Sequence, residues 1–199
     1  MSEGAAPKST ERFSDRVADY VRWRPGYPSG AIEVLSREIG FGPAWVVADV
    51  GSGTGILTAM LLACGNTVYA VEPNRAMREA AERALAGRPG FHSIDGTAEH
   101  TGLPDGSVDL VTAAQAFHWF APEETRVEFR RILKPEGWAV LVWNDRKTDA
   151  TPFLHAYDEL LKTRSVDYPK VDHRNVDDAR LRAFFGSGGY EAAVLPNRQ

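Results

Sequence analysis

Cysteine is almost missing: Cys64 is the only one in 199 residues. A single thiol closes no internal disulfide, and no Cys/His spacing in the chain resembles a zinc site. Long apolar runs are missing too. The polar opening, MSEGAAPKSTERF, lacks the apolar centre of a secretory signal, and no later stretch is long enough to cross a bilayer. Nor is there an excess of one charge: 23 Lys and Arg stand against 27 Asp and Glu, a net charge of −4. That balance leaves no electrostatic footprint for nucleic acid or an anionic membrane surface. Arg126, Arg130 and Arg131 lie close together, and they read as the solvated face of a helix rather than as a basic patch. The expectation is a cytoplasmic protein with neither nucleic-acid nor membrane partners.

What is present is ordinary for a globular domain, with 43% hydrophobic and 25% charged residues. The length suits one domain with a full core. Residues 1–11 read as a disordered lead and 12–40 as a helical lid. In that lid Phe13, Val17, Tyr20 and Val21 have helical spacing, RPGYP at 24–28 stops the helix, and Ile32, Leu35 and Ile39 mark a second one.

From residue 41 onward, short β-rich apolar runs alternate with amphipathic segments. Strands are predicted at 44–50, 67–72, 91–95, 107–114 and 137–144. Helices are predicted at 55–63, from an Asn74 cap to Ala86, and from Pro122 to about Leu133. This alternation predicts an α/β fold: a doubly wound, mostly parallel Rossmann-like sheet with right-handed crossovers. Beyond Asn144 the pattern weakens to a helix near 152–163, a charged stretch at 164–180 and one strand in YEAAVL.

In such a sheet ligands bind beyond the carboxyl ends of the strands, where the winding direction switches. The segment VVADVGSGTGILT (46–58) lies at the first strand–turn–helix. Its glycines, Gly51, Gly53 and Gly55, permit positive φ and close approach of a ligand to the main chain. A dinucleotide fingerprint needs a third glycine where Ile56 stands, and no Gly-Lys-Ser/Thr follows to make a P-loop. Asp49, two residues before Gly51, would repel phosphate and suit a cation. Glu72, at the end of the second strand, can accept from the two hydroxyls of a ribose. Together these favour a nucleoside cofactor with a positive end and no phosphates, and S-adenosyl-L-methionine fits.

Four motifs in order, ADVGSGTG, VEPN, DGTAEHTGLPDGSVDLVTAAQAFHWF and RRILKPEGWAVLVW, resemble those of class I S-adenosylmethionine-dependent methyltransferases. The chain is most similar to the type 11 small-molecule group, and RFSDRVADYVRWRPGYP is similar to the N-terminal helix of that group. The likeness covers about residues 12–145. It implies that Gly51, Ser52 and Gly53 line the methionine moiety, that Asp49 helps hold its amino group, and that Glu72 binds the ribose. It further implies Pro73 or Met77 on the adenine face and Thr97 and Ala98 at the adenine edge, although the family usually has an acid where Thr97 stands. Ala114 and Gln115 would border the transferring methyl group.

Several residues admit two readings. His118, within FHWF, is either a base or acceptor-orienting group or a side chain serving the core. Tyr20, Arg24 and Tyr27 either anchor a helix or form a lid whose Arg24 pairs with the cofactor carboxylate. The implied activity is methyl transfer to a small-molecule acceptor. The alternatives are a non-catalytic cofactor-binding regulator and a nicotinamide-dependent oxidoreductase. Class I enzymes finish with two further strands, the last antiparallel, and only YEAAVLPNRQ remains here. A C-terminally truncated domain over 41–199 is therefore expected, with an open fifth-strand edge and a possible homodimer.

Overall fold

Four runs rich in Val, Ala or Leu and the short run FHSI become five strands. They are β1 (Val46–Val50), β2 (Thr67–Val71), β3 (Phe91–Ile94), β4 (Val108–Ala114) and β5 (Leu133–Val142). In the structure, a computed structural model that describes residues 23–148, 150–164 and 176–197, they pair in the order β3-β2-β1-β4-β5. Every pair is parallel. The helices are α1 (Gly30–Ile39), α2 (Ile56–Ala63), α3 (Arg75–Ala84), α4 (Pro122–Ile132), α5 (Pro152–Arg164) and α6 (Asp178–Phe185). The expected disordered lead and Tyr20 lie outside the described residues.

Alternate side chains of each strand enter two cores. Val47, Val68 and Leu110 pack with Phe41 and with Leu57, Leu61 and Leu62 of α2. Ala48, Val50 and Val111 pack with Phe129 and Ile132 of α4 and Phe184 of α6. Burial on both faces explains why β1 reads as an almost unbroken apolar run. The winding reverses between β1 and β4, so the carboxyl ends of these two strands flank a crevice.

Three expectations are corrected. β5 begins at Leu133 rather than 137, because a bulge carries Lys134–Gly137 between the pairs Val108↔Leu133 and Leu110↔Trp138. Asp109 holds that bulge, accepting from Lys134 Nζ at 2.7 Å and from Val46 N at 2.8 Å. YEAAVL forms no strand: it runs exposed along the surface. The segment after it is tied by Asn197, whose Nδ2 donates to Gly26 O and Asn144 Oδ1, both at 2.9 Å. Helix α6 starts at the end of the charged stretch read at 164–180 and runs through residues 181–185, where no element was expected. Asp177 caps it, accepting from Arg180 N at 2.8 Å, and Leu181, Phe184 and Phe185 give it an apolar face.

Of the three arginines of α4, Arg130 is exposed as expected and the other two are corrected. Arg131 does not face solvent alone, since it donates to Glu128, to Asp105 and to Leu103 O. Arg126 lies against Gly186, where a Cβ would sit 2.7 Å from its guanidinium. Glu128 is only 5% exposed and also accepts from the Thr101 backbone at 2.8 Å and hydroxyl at 2.6 Å. This clamp fastens the loop between β3 and β4, which carries Thr97 and Ala98, to α4. Burial alone would raise the Glu128 pKa, but the Arg131 and Thr101 donors outweigh it and hold the group at about 2.

A depressed carboxylate stabilises the fold above its unfolded pKa of 4.5, and that stability is lost as pH falls towards 2. Glu128→Gln should be clearly less stable at neutral pH, and its gap from wild type should close by about 3 kcal/mol between pH 5 and pH 2. Urea unfolding across that range checks this, and a gap that does not change with pH contradicts it.

Candidate functional site

The chain leaves β1 through Gly51, Gly53 and Gly55, all at positive φ (69°, 58° and 82°). The three glycines serve different ends. A Cβ on Gly51 would lie 2.6 Å from the Ala116 Cβ and 3.2 Å from the Phe120 ring, so this position lets the turn after β4 pack close. A Cβ on Gly55 would lie 2.9 Å from Leu85 and 3.3 Å from Ala81, which brings α2 against α3. At Gly53 nothing lies within 4 Å. Its Cα therefore borders open space.

Glu72, immediately after β2, ties this turn to the next crossover. Its Oε2 accepts from Gly53 N at 2.9 Å and its Oε1 from Asn74 N at 2.8 Å. Asn74 in turn caps α3, accepting from Met77 N at 3.0 Å as the sequence predicts. Arg78 donates to Glu72 O at 2.8 Å and to Asp95 at 2.9 Å, joining the ends of β2 and β3. Glu72 is 8% exposed, and burial raises its pKa against the pull of the two N–H donors and Arg78. Each carboxylate oxygen still has a lone pair for a ligand hydroxyl.

Asp49 lies deeper, at 1% exposure. It stands opposite Thr112 of β4 in the parallel register. Its oxygens accept from Thr112 Oγ1 at 3.0 Å and from Thr58 Oγ1 of α2 at 2.6 Å. Burial pushes its pKa up to about 6 in spite of these hydroxyls. Among the described residues no cation is paired with it, and a positive group in the crevice would favour its ionised form through space. Sequence reading missed Thr58 and Thr112 as its partners; Thr58, nine residues on in the helix that the glycine turn opens, was the available signal.

The other predicted residues distribute as follows. Ser52 N donates to Val71 O at 3.2 Å. Pro73 is half-buried and Met77 buried, beside the Glu72 turn and in the first turn of α3. The Thr97 hydroxyl accepts from His100 N at 3.1 Å within a tight turn, and Ala98 enters the core. Ala114 ends β4. Gln115 follows with φ 56°, the sole non-glycine at positive φ among the described residues. Its Nε2 donates to Asn144 O at 3.2 Å. His118 is half-buried in the 3-10 turn Phe117–Trp119, next to the fully buried Phe117. Arg24 is exposed just before Gly26, whose carbonyl accepts from Asn144 Nδ2 at 3.1 Å, so this segment is fixed at the carboxyl end of β5. Asn144 was not singled out from sequence, because its partners are remote in the chain.

The glycine geometry separates packing from ligand space. Gly53→Ala should cost only the left-handed backbone penalty, about 1–2 kcal/mol. Gly51→Ala should cost a further 1–3 kcal/mol or so, from overpacking against Ala116. Thermal unfolding of the two variants measures this, and equal losses would contradict it.

Comparison with known proteins agrees with the geometry. Residues 48–141 match the methyltransferase domain family Methyltransf_11. An uncharacterized methyltransferase-like protein of Schizosaccharomyces pombe is 35% identical over 158 residues, which are 79% of this chain and 60% of that protein. An uncharacterized methyltransferase of Mycobacterium tuberculosis is 42% identical over 134 residues, 67% of this chain and 52% of that one. The chain therefore spans little more than half the length of these curated relatives. A solved structure from Anaeromyxobacter dehalogenans, described as that of a candidate type II methyltransferase, superposes with a TM-score of 0.56 at 33% identity. It covers 70% of this chain and 56% of that one. The glycine turn, the Glu72 clamp and the all-parallel sheet lie within or around the matched span, and S-adenosylmethionine is the cofactor that the family implies. Residues 48–141 are thus a methyltransferase domain of the type 11 family of class I S-adenosylmethionine-dependent methyltransferases.

Proposed function

We propose that this chain transfers the methyl group of S-adenosylmethionine to a small-molecule acceptor by in-line displacement. The observation that carries the reading is the Glu72 carboxylate, which fixes Gly53 and Asn74 through one lone pair on each oxygen and offers the others to a ribose. The residues present fit the cofactor in two further ways. Gly53 leaves open space where a side chain would stand, and Thr54 in the same turn keeps a buried hydroxyl with no hydrogen-bond partner.

In this reading the main chain of Gly51, Ser52 and Gly53 holds the methionine end, and the charge of Asp49 favours its ammonium group. Pro73 and Met77 flank the adenine, with Thr97 and Ala98 at its edge. Ala114 and Gln115 border the sulfur. When bound, the cofactor supplies a methyl group already activated by a positive sulfur. The protein's part is then alignment and exclusion of water, which can lower a barrier by roughly 7–11 kcal/mol. His118, three residues after Gln115, is the candidate base for a hydroxyl or ammonium acceptor, whereas a carboxylate acceptor needs none.

Two features support a small acceptor. The net charge is −4, and Arg126 and Arg131 of α4 are engaged in internal contacts rather than arrayed for a polyanion. Gly26 and Asn197 also meet over Asn144 beyond the carboxyl end of β5.

Incubation of the protein with methyl-tritiated S-adenosylmethionine and cell extract, followed by ultrafiltration, tests the acceptor class. Label should appear in the filtrate in a compound that chromatography separates from S-adenosylmethionine, and this compound should be absent from a control lacking the protein. Label retained with protein or nucleic acid would contradict the reading.

A further inference from the structure

Arg78, Arg131, Arg146 and Arg182 each meet carboxylates: Asp95, Asp105 with Glu128, Asp158 and Asp178 respectively. Arg180, in the first turn of α6, does not. It is half-buried and makes no ion pair among the described residues. Its one side-chain hydrogen bond there is a long one, from Nη2 to Phe120 O at 3.5 Å. Glu99 comes to the same turn, but it accepts from Ala121 N at 2.9 Å and does not pair with Arg180.

The position of this guanidinium matters more than its lack of a partner. Its carbon lies 5.8 Å over the centre of the Phe117 ring. Phe117 is fully buried and stands two residues after Gln115, in the turn that leaves β4. Phe120, whose carbonyl Arg180 meets, turns its ring towards the glycine turn, where a Cβ on Gly51 would lie 3.2 Å from it. Trp143 reaches Phe117 from the other strand. It follows Val142, the register partner of Ala114, and packs edge-on against the Phe117 ring at 6.3 Å. Its buried Nε1 has no hydrogen-bond partner among the described residues, although a buried indole N–H ordinarily finds one. One ring at the carboxyl ends of β4 and β5 thus carries two donor groups and no carboxylate. Such donors are satisfied by a group that brings several oxygen lone pairs, and the planar fork of a guanidinium matches a carboxylate or a phosphate.

We infer that Arg180 is a specificity-determining residue that receives an oxyanion of the methyl acceptor, with Trp143 Nε1 as the second donor. The inference deepens the proposed function and rests on it: the acceptor is a small acid, anchored by a carboxylate or phosphate beside the turn after β4. The contact orients the acceptor and takes no part in making or breaking a bond.

The probe is the ultrafiltrate of cell extract, split at pH 7 on a strong anion-exchange resin into retained and unretained fractions. Each is given methyl-tritiated S-adenosylmethionine, and product is separated by chromatography. Wild type should form product from the retained fraction. Arg180→Met keeps an aliphatic stem over Phe117 and loses the charge. It should need about tenfold more of that fraction for half-maximal rate, as for loss of a charged hydrogen bond, at unchanged affinity for S-adenosylhomocysteine. Arg180→Lys, with the charge but not the fork, should fall between the two, and it serves if the Met variant fails to fold. Trp143→Phe should raise the requirement by about two- to tenfold. Phosphatase treatment of the retained fraction then names the group: surviving activity is a carboxylate and lost activity a phosphate, and either meets the prediction. Product from the unretained fraction alone, or an equal requirement in wild type and folded Arg180 variants, overturns the assignment. Product from neither fraction, by a protein that binds S-adenosylhomocysteine, overturns the small-acceptor reading beneath it.

Discussion

Glu72 holds two backbone turns from two successive crossovers against each other, and the candidate site is organised around that carboxylate. One oxygen fixes Gly53 in the turn between β1 and α2. The other fixes Asn74, the cap of α3. A neutral side chain could not accept from both donors equally well, and the buried position makes each contact stronger than it would be in water. Arg78 extends the arrangement to Asp95, so the carboxyl ends of β1, β2 and β3 are held in one network. The cost is a carboxylate in a poorly solvated place, visible as its raised pKa.

Two other buried carboxylates show how environment divides roles among identical groups. Glu128 has an arginine and two donors from Thr101, so its charge is satisfied in the fold and its pKa is low. It holds the loop between β3 and β4 in place. Asp49 has two hydroxyls and, among the described residues, no cation, so burial raises its pKa to about 6. The first is complete within the protein, whereas the second gains from a positive ligand. This difference supports reading the crevice beside Asp49 as built for a cation.

The strands, the glycine turn and the Asn74 cap were legible because each is local. Strand periodicity, turn chemistry and capping act over a few residues, and the resemblance to a known family confirmed their order. The missing parts were long-range or weakly patterned. Asn144 bonds across 118 residues to Gly26, Thr112 across 63 to Asp49, and Glu128 across 27 to Thr101. No periodicity announces such pairs. Helix α6 was missed because its eight residues make only two turns and only its start overlaps the charged stretch, and YEAAVL had strand composition but pairs with no strand among those described. Arg131 looked like solvent-facing charge because two of its partners, Asp105 and Leu103 O, come from another element.

The central claim is that Glu72 and the glycine turn form a site for a phosphate-free nucleoside cofactor. Calorimetric titration with S-adenosylhomocysteine, beside NAD, tests it most directly on wild type and on Glu72→Ala, with folding checked by circular dichroism. The account predicts saturable binding of S-adenosylhomocysteine alone, weakened by about 10- to 100-fold in the variant, as expected for loss of hydrogen bonds to a charged group. Binding of NAD in its place, or equal affinity in a folded Glu72→Ala, would contradict it.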